Sequence, residues 1–388
     1  MAITNNTLKN KERSIASVIL LSLILAWIAG IFQHHSDITV FLKHALPSAT
    51  QFDSISDKMY VGLTSAELQN KKVGYVSIRS AQGYAGPVTI AVGLDTNGQI
   101  VGTAIVRETE SSAFFRKVID KGYPQKFVGK NCADQFEIGS DIDAVTGATV
   151  SLAALTKAVH LACSDIAGNQ LGLPFVTKDS PAIRFGLPES VLILLFIVGF
   201  LAYSKKLSMI RYLKWSALIA SLILIGFVLK RPVSLIDINS LLIGYWPRWQ
   251  NDIYWYLLLA GVLIPVILKG KSPYCSNICP FGATQQILVT LGGSKMEIPP
   301  EYSHFLKLFQ WTLAWLAVMC ALLFRNPSIM TYEVSATFFT VIGQNWQFIL
   351  LGLILILSLF VVKPWCNYIC PVRAVTDYIR LLRRCFKR

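Results

Sequence analysis

Two cysteine pairs carry the chemistry most open to inference in this chain: Cys275-Ser-Asn-Ile-Cys279-Pro280 and Cys366-Asn-Tyr-Ile-Cys370-Pro371. Each follows a long apolar run and a short basic or proline-containing stretch. Three intervening residues set the two thiols of a pair nearly one helical turn apart. Four such thiols could ligate an iron–sulfur unit, exchange a disulfide, or serve a structural part, and spacing alone does not choose. A reducing cytosol argues against a permanent structural disulfide. Cys132, Cys163, Cys320 and Cys385 lack a paired motif and read as packed or exposed thiols.

A second group is Asp143-Ala-Val-Thr146-Gly147-Ala148-Thr149, directly before a segment, Leu152 to Leu161, that reads as a helix. Gly147 and Ala148 leave room for a bulky group against the backbone, and amides at a helix start can receive phosphate oxygens. Threonine there can equally cap the helix and bind nothing. Upstream, Val73 to Arg79, Val88 to Leu94 and Ile100 to Glu108 alternate as strands, the last two joined by an Asp95-Thr-Asn-Gly98 turn. Thr109 to Ile119 is read as a further helix. Gly83, Gly86 and Pro87 break the chain beside the second strand, as a tight loop or a close ligand approach requires.

The elements that must position these groups are of two kinds. Hydrophobic residues make up 53% of the 388 and are clustered rather than periodic, which favours membrane spans. Six candidates run from about Ser14 to Phe32, Leu187 to Tyr203, Leu213 to Leu229, Ile253 to Leu268, Leu308 to Phe324 and Gln347 to Val362. The first is read as an uncleaved anchor, its apolar run being longer than the usual ~7–15-residue signal core. Between it and the second span lies an α+β unit, residues 33–186. Basic residues gather beside alternate span ends, so the expected topology has residues 1–13 and 363–388 cytoplasmic, a five-helix membrane domain over 187–362, both cysteine motifs facing the cytoplasm and the α+β unit extracytoplasmic. The formal net charge of +14 belongs to these span ends, where it can contact anionic headgroups, and no nucleic-acid partner is expected. Tyr245, Trp246, Trp249, Tyr254, Trp255 and Tyr256 read as interfacial anchors; Glu189 and Asp237 are candidate proton carriers. The histidines, His34 and His35 among them, form no haem pattern. Neither a hydrolytic triad nor a phosphate-binding Gly-Lys-Thr run is present, and a transporter lacks an inverted repeat in its support.

The Asp143–Thr149 run resembles the flavinylation motif of FMN-binding domains in the sodium-pumping quinone reductase and related membrane complexes. That resemblance implies FMN joined through its phosphate to Thr149 by a separate flavin transferase, with Asp143, Thr146, Gly147 and Ala148 forming the motif around it. Leu46 to Phe52 resembles, more weakly, the entry segment of such domains. The combination of one anchor, an FMN-binding domain, several spans and two Cys-x-x-x-Cys-Pro motifs resembles the NosR/NirI-like membrane flavoproteins, and in architecture the C-type accessory proteins of reductive-dehalogenase systems.

The resemblance implies an α+β extracytoplasmic FMN-binding domain joined to a polytopic helical domain of about six transmembrane helices in a bacterial cytoplasmic membrane. It implies electron transfer from a quinol, menaquinol for instance, or another redox partner, through covalent FMN to an exported reductase or its maturation system in anaerobic respiration. Cys275, Cys279, Cys366 and Cys370 match the family's cysteine-proline motifs. The clustered ferredoxin-type cysteines of larger members are not found before Arg388, so a separate ferredoxin-like partner would supply that relay. The alternative is a redox sensor or assembly factor for a respiratory reductase without catalytic turnover.

Overall fold

A computed structural model of the chain describes all residues except 1, 33–36, 67–68, 135, 137–138, 140–148, 174–184, 204–209, 294–295 and 387–388. It divides into two compact units: residues 32–180, and residues 1–31 together with 181–388.

The first unit is built on an antiparallel meander. Strands β1 (Gln51–Ser56), β2 (Met59–Ala66), β3 (Gln69–Gln82), β4 (Pro87–Asp95) and β5 (Ile100–Arg107) lie in sheet order β1-β2-β3-β4-β5. The expected turn over Asp95–Gly98 joins β4 to β5, closed by Gly98 N–H on the Asp95 carbonyl and by Asn97 and Gln99 amides on the Asp95 carboxylate. β1 and β2 escape sequence reading because β1 is exposed at all but one of its residues, so no apolar alternation marks it.

One sheet face carries the larger core. Val88, Ile90, Val92 and Leu94 of β4 bury against Leu152, Leu155, Val159 and Ile166 of α5 (Thr149–Ile166), which continues as a π turn to Leu171. Two short helices, α3 (Ser112–Asp120) and α4 (Tyr123–Lys126), add Phe115, Val118 and Tyr123. Arg79 of β3 pairs with Asp165 of α5 across the layers. The opposite face takes α2 (Thr39–Ala45), whose Leu42 and Ala45 pack with Leu46 and Ala49 on Val76 and Ala91. Helix α3 starts later than Thr109: Thr109 Oγ donates to the Pro87 carbonyl, and Glu110 N–H goes to the Glu108 carboxylate. Thr109 is thereby tied to the strand start, and both Thr109 and Glu110 are buried.

The second unit is helical. α1 (Ala2–Phe32) belongs to it, followed after residue 186 by α6 (Leu187–Tyr203), α7 (Ile210–Ser221, continuing as a π turn to Val228), α8 (Leu235–Ile243), α9 (Ile253–Lys269), α10 (Pro280–Gly292), α11 (Pro300–Leu323), α12 (Ser335–Thr340), α13 (Asn345–Phe360), α14 (Pro364–Tyr368) and α15 (Pro371–Phe386). All six expected apolar segments are helical. By length and composition Arg13–Phe32 and Pro300–Leu323 can cross a membrane; Leu187–Tyr203, Tyr212–Val228, Ile253–Lys269 and Asn345–Phe360 are shorter apolar helices. Val150–Leu171 also meets the length and composition but is the core helix of the first unit.

Helices α7–α10 and α11–α15 are two passes through one plan. α7 and α11 are each followed by a basic residue held at positive φ, Lys230 at 54° and Arg325 at 47°, and soon after by Pro232 or Pro327. A short helix (α8, α12), an apolar helix (α9, α13), a Cys-x-x-x-Cys-Pro motif and a helix opening on that proline (α10, α15) complete each pass. The repeat runs in one direction, so a search for inversion does not find it. Among the expected interfacial aromatics, Trp246 and Trp249 are exposed, whereas Tyr254 and Trp255 are buried core residues of the second unit. The reason is local: Tyr254 donates to the Arg231 carbonyl, and Asp252, which accepts from Trp255 N–H, is paired with Arg231. Asp237, an expected proton carrier, is committed to a capping box with Ser234.

Candidate functional site

The cysteines sit where helices begin. In the first pass a π turn, Tyr274–Ile278, follows α9, and Cys279 stands with extended backbone just before Pro280 opens α10. Proline is favoured at the first helical position because its missing N–H is not needed there and its φ is already helical. The second pass repeats this with Cys370 before Pro371 of α15.

Buried side chains lock both motifs. Tyr274 Oη accepts the Val233 N–H at 3.1 Å, and Asn277 Nδ2 donates to the Gly199 carbonyl at 3.0 Å. Gly199 is required there, since a Cβ would fall 2.5 Å from Ile278 Cγ1. Gln285 of α10, fully buried, accepts the Cys366 N–H at 3.2 Å and donates to Ser358 at 3.0 Å, tying the first pass to the second motif. Gln310 of α11 donates to the Cys370 carbonyl at 2.8 Å.

The consequence is that Cys275, Cys279, Cys366 and Cys370 line one cavity of about 250 Å³. Their ring also includes Lys214, Lys363, Arg373 and Arg380, with the buried carboxylate of Glu333 on the same wall. Burial raises all four thiol pKa values, that of Cys366 to about 11 against the pull of Lys363 and Arg373. A thiol in that state is a poor nucleophile. A bound metal supplies the positive charge that makes thiolate formation favourable.

Among the described residues no three metal-ligating side chains converge tightly enough for a single ion. An iron–sulfur cluster asks for something different, because its irons are spread over several ångströms and its ligands stand around it. Four thiols on the wall of one cavity fit that demand. The surrounding cations and the N-terminal ends of α10 and α15 favour the net negative charge of a thiolate-ligated cluster.

In the other unit, Asp143, Thr146, Gly147 and Ala148 lie outside the described residues, and Thr149 is the first residue of α5. The residue that organises this neighbourhood is Glu110, which sequence reading placed in a helix. It is 2% exposed. Its carboxylate accepts the Ser151 hydroxyl at 2.5 Å and the Ala85 N–H at 3.0 Å, with the Tyr84 and Gly86 amides also directed at it. Gly83 must lack a side chain, since a Cβ would stand 2.2 Å from Glu110 Oε1. Glu110 therefore holds the Gly83–Gly86 loop against the first turn of α5, beside Thr149. The loop amides of Tyr84, Ala85 and Gly86 are thereby occupied by Glu110. The sequence carries two acidic residues after the last strand, Glu108 and Glu110, and nothing local ties the second to Gly83 or Ser151.

Residues 83–164 match the model of an FMN-binding domain, and residues 251–299 and 346–388 match that of a 4Fe-4S binding domain. The two stretches of the second match contain the two cysteine motifs. The chain is 25% identical over 214 residues to protein NirI of Paracoccus denitrificans, covering 52% of this chain and 31% of that protein. It is 23% identical over 220 residues to the regulatory protein NosR of Stutzerimonas stutzeri, covering 52% and 30%. One component of the Na(+)-translocating ferredoxin:NAD(+) oxidoreductase complex of Acetobacterium woodii is 24% identical over 151 residues, covering 32% of this chain and 70% of that protein. The chain thus spans about three-tenths of the length of NirI and NosR. With an FMN-binding domain, a 4Fe-4S binding domain and helices able to cross a membrane, it is a NosR/NirI-like membrane protein.

Proposed function

We propose that this protein is a membrane electron-transfer flavoprotein that passes electrons from a quinol, or another redox partner, to an exported reductase or its maturation system. The observation that carries the reading is the meeting of two cysteine pairs, 91 residues apart in sequence, on one cavity, in a chain that also matches an FMN-binding domain.

When bound, an iron–sulfur centre and FMN supply the redox chemistry, one electron at a time at the first and one or two at the second. The chain's own residues hold them: Cys275, Cys279, Cys366 and Cys370 as cluster ligands, and Thr149 as the covalent attachment point for FMN phosphate, placed there by a flavin transferase. Oxidation of one quinol to quinone releases two electrons and two protons, the electrons leaving toward these centres and the protons to water.

The distribution of basic residues supports N- and C-termini in the cytoplasm, six spans and an extracytoplasmic FMN-binding unit. A separate ferredoxin-like protein is a suitable cytoplasmic partner. The likeness to accessory proteins of reductive-dehalogenase systems belongs to the same proposal, as one class of exported reductase.

The test uses the full chain co-expressed with a flavin transferase. Intact mass after denaturation carries an FMN increment in the wild type and none in Thr149→Ala. In liposomes the wild type passes electrons from menaquinol to a membrane-impermeant acceptor, and the variant does not. Wild-type protein loaded with FMN and iron that leaves the acceptor oxidised overturns the relay and supports a sensor or assembly factor.

A further inference from the structure

The two passes align residue for residue around their cysteines, so that Ser272-Pro273-Tyr274-Cys275 lies over Lys363-Pro364-Trp365-Cys366. Their backbones differ just before the prolines. Between α9 and the first motif the left-handed position falls on Gly270, at φ 66°, where there is no side chain to oppose it. Between α13 and the second motif it falls on Lys363, at φ 48° and ψ 60°. A lysine rarely takes that conformation, and the following Pro364 pushes the residue before it toward extended backbone. Strain of this kind persists only where the surroundings hold it, and it gathers at functional sites.

The position is unfavourable for the side chain as well. Lys363 is partly buried on the wall of the cavity that Cys275, Cys279, Cys366 and Cys370 line. Among the described residues no carboxylate lies within ion-pair distance of it. Arg373, on the same wall, is tied down otherwise: it donates to Asn367 Oδ1 at 2.7 Å and shares Asp377 with Arg380. Lys214 of α7 is a further wall cation without a carboxylate partner among the described residues, and it repels Lys363. Glu333 gives no relief. Its carboxyl accepts the Leu235 N–H, and burial raises its pKa to about 8, so it holds its proton at neutral pH.

The cavity thus has an excess of positive charge that no anion of the chain balances. Among the charged groups of opposite sign, Lys363 acts most strongly on Cys366. A lysine that merely marks a span end reaches water or headgroups from ordinary backbone. This one is held in left-handed backbone beside four thiols.

We infer that Lys363 is a positioning residue that sets the potential of the cysteine centre: its ammonium is the counter-charge of a thiolate-ligated iron–sulfur cluster and makes that cluster easier to reduce. One-electron reduction adds one negative charge to such a cluster and takes up no proton, so a fixed cation beside it favours the reduced form. The inference rests on the iron–sulfur reading and adds why the second motif carries a lysine where the first has serine.

The test is an EPR-monitored redox titration of the full chain, purified anaerobically with its iron, using dithionite and redox mediators at neutral pH. Lys363→Met keeps the length of the side chain and removes the charge. At a fixed poise its reduced-to-oxidised ratio is expected to fall about tenfold, a midpoint about 59 mV lower for one electron, with iron content unchanged. Lys363→Arg keeps the charge and is expected to restore most of the wild-type midpoint. Lys363→Gly suits the left-handed backbone, so it is expected to fold even where the Met variant does not, and to show the same lowered midpoint. Arg384→Gln removes an exposed charge of α15 that is not on the cavity wall and is expected to leave the midpoint in place. A midpoint unmoved in Lys363→Met and Lys363→Gly, or lowered as much by Arg384→Gln, overturns the inference and leaves Lys363 as a span-end lysine. Wild-type protein without iron rejects the iron–sulfur reading and the inference with it, whereas wild-type iron content with an unmoved midpoint rejects the inference alone.

Discussion

At the scale of single residues, Glu110 joins two parts of the FMN-binding unit that lie far apart in sequence, the Gly83–Gly86 loop and the start of α5. Its pKa is raised above 4.5 because burial outweighs the hydrogen bonds from Ser151 and the loop amides. A raised folded value means that the folded unit holds the proton more tightly than the unfolded chain does. The associated stability is therefore complete below about pH 4.5 and is lost as pH rises through the raised value. Thermal unfolding of the full chain between pH 4 and 8 should show the FMN-binding unit's transition falling with pH, and Glu110→Gln should flatten that slope. Glu110→Ala should lower stability by about 1–3 kcal/mol, because it strands buried amides and a hydroxyl. A wild-type slope shared by the Gln variant would assign the titration to another group. Glu110 was not legible in sequence: its neighbours Glu108 and Thr109 read as a strand end and a helix start, and its partners are 25 and 41 residues away.

At the scale of elements, the two Cys-Pro helix starts make one centre rather than two. α10 and α15 begin at Pro280 and Pro371, and Gln285 of α10 reaches the Cys366 N–H. If the centre is shared, Cys275→Ser with Cys279→Ser should abolish iron in anaerobically purified protein, and so should Cys366→Ser with Cys370→Ser. Two independent sites would each leave about half. Gln285→Leu should lower retained iron without abolishing it, since it loosens one ligand's backbone and keeps all four thiols. The cysteine motifs and the helices that follow them could be read from spacing and from proline at the helix start. The half-helices α8 and α12 could not. They are nine and six residues long, too short for a 3.6-residue period to declare itself, and were absorbed into loops.

At the scale of the whole molecule, the orientation in a membrane decides which side each redox group serves. A reporter active only outside the cytoplasm, inserted at the exposed Asn97 turn, should be active, and the same reporter fused after Arg388 should be silent. The opposite pattern would reverse the proposed direction of electron flow. Composition and spacing were enough to decide where the apolar helices lie, that β3, β4, β5 and α5 exist, and which cysteines are chemically paired, because each of these is written within one turn, one strand or one span. Packing decided the rest. It brought Cys279 within one cavity of Cys366, set Glu110 between Gly83 and Ser151, and placed Trp311 opposite Tyr378. These encounters join residues tens to nearly a hundred positions apart, and they depend on helix crossings and buried hydrogen bonds that no local pattern encodes.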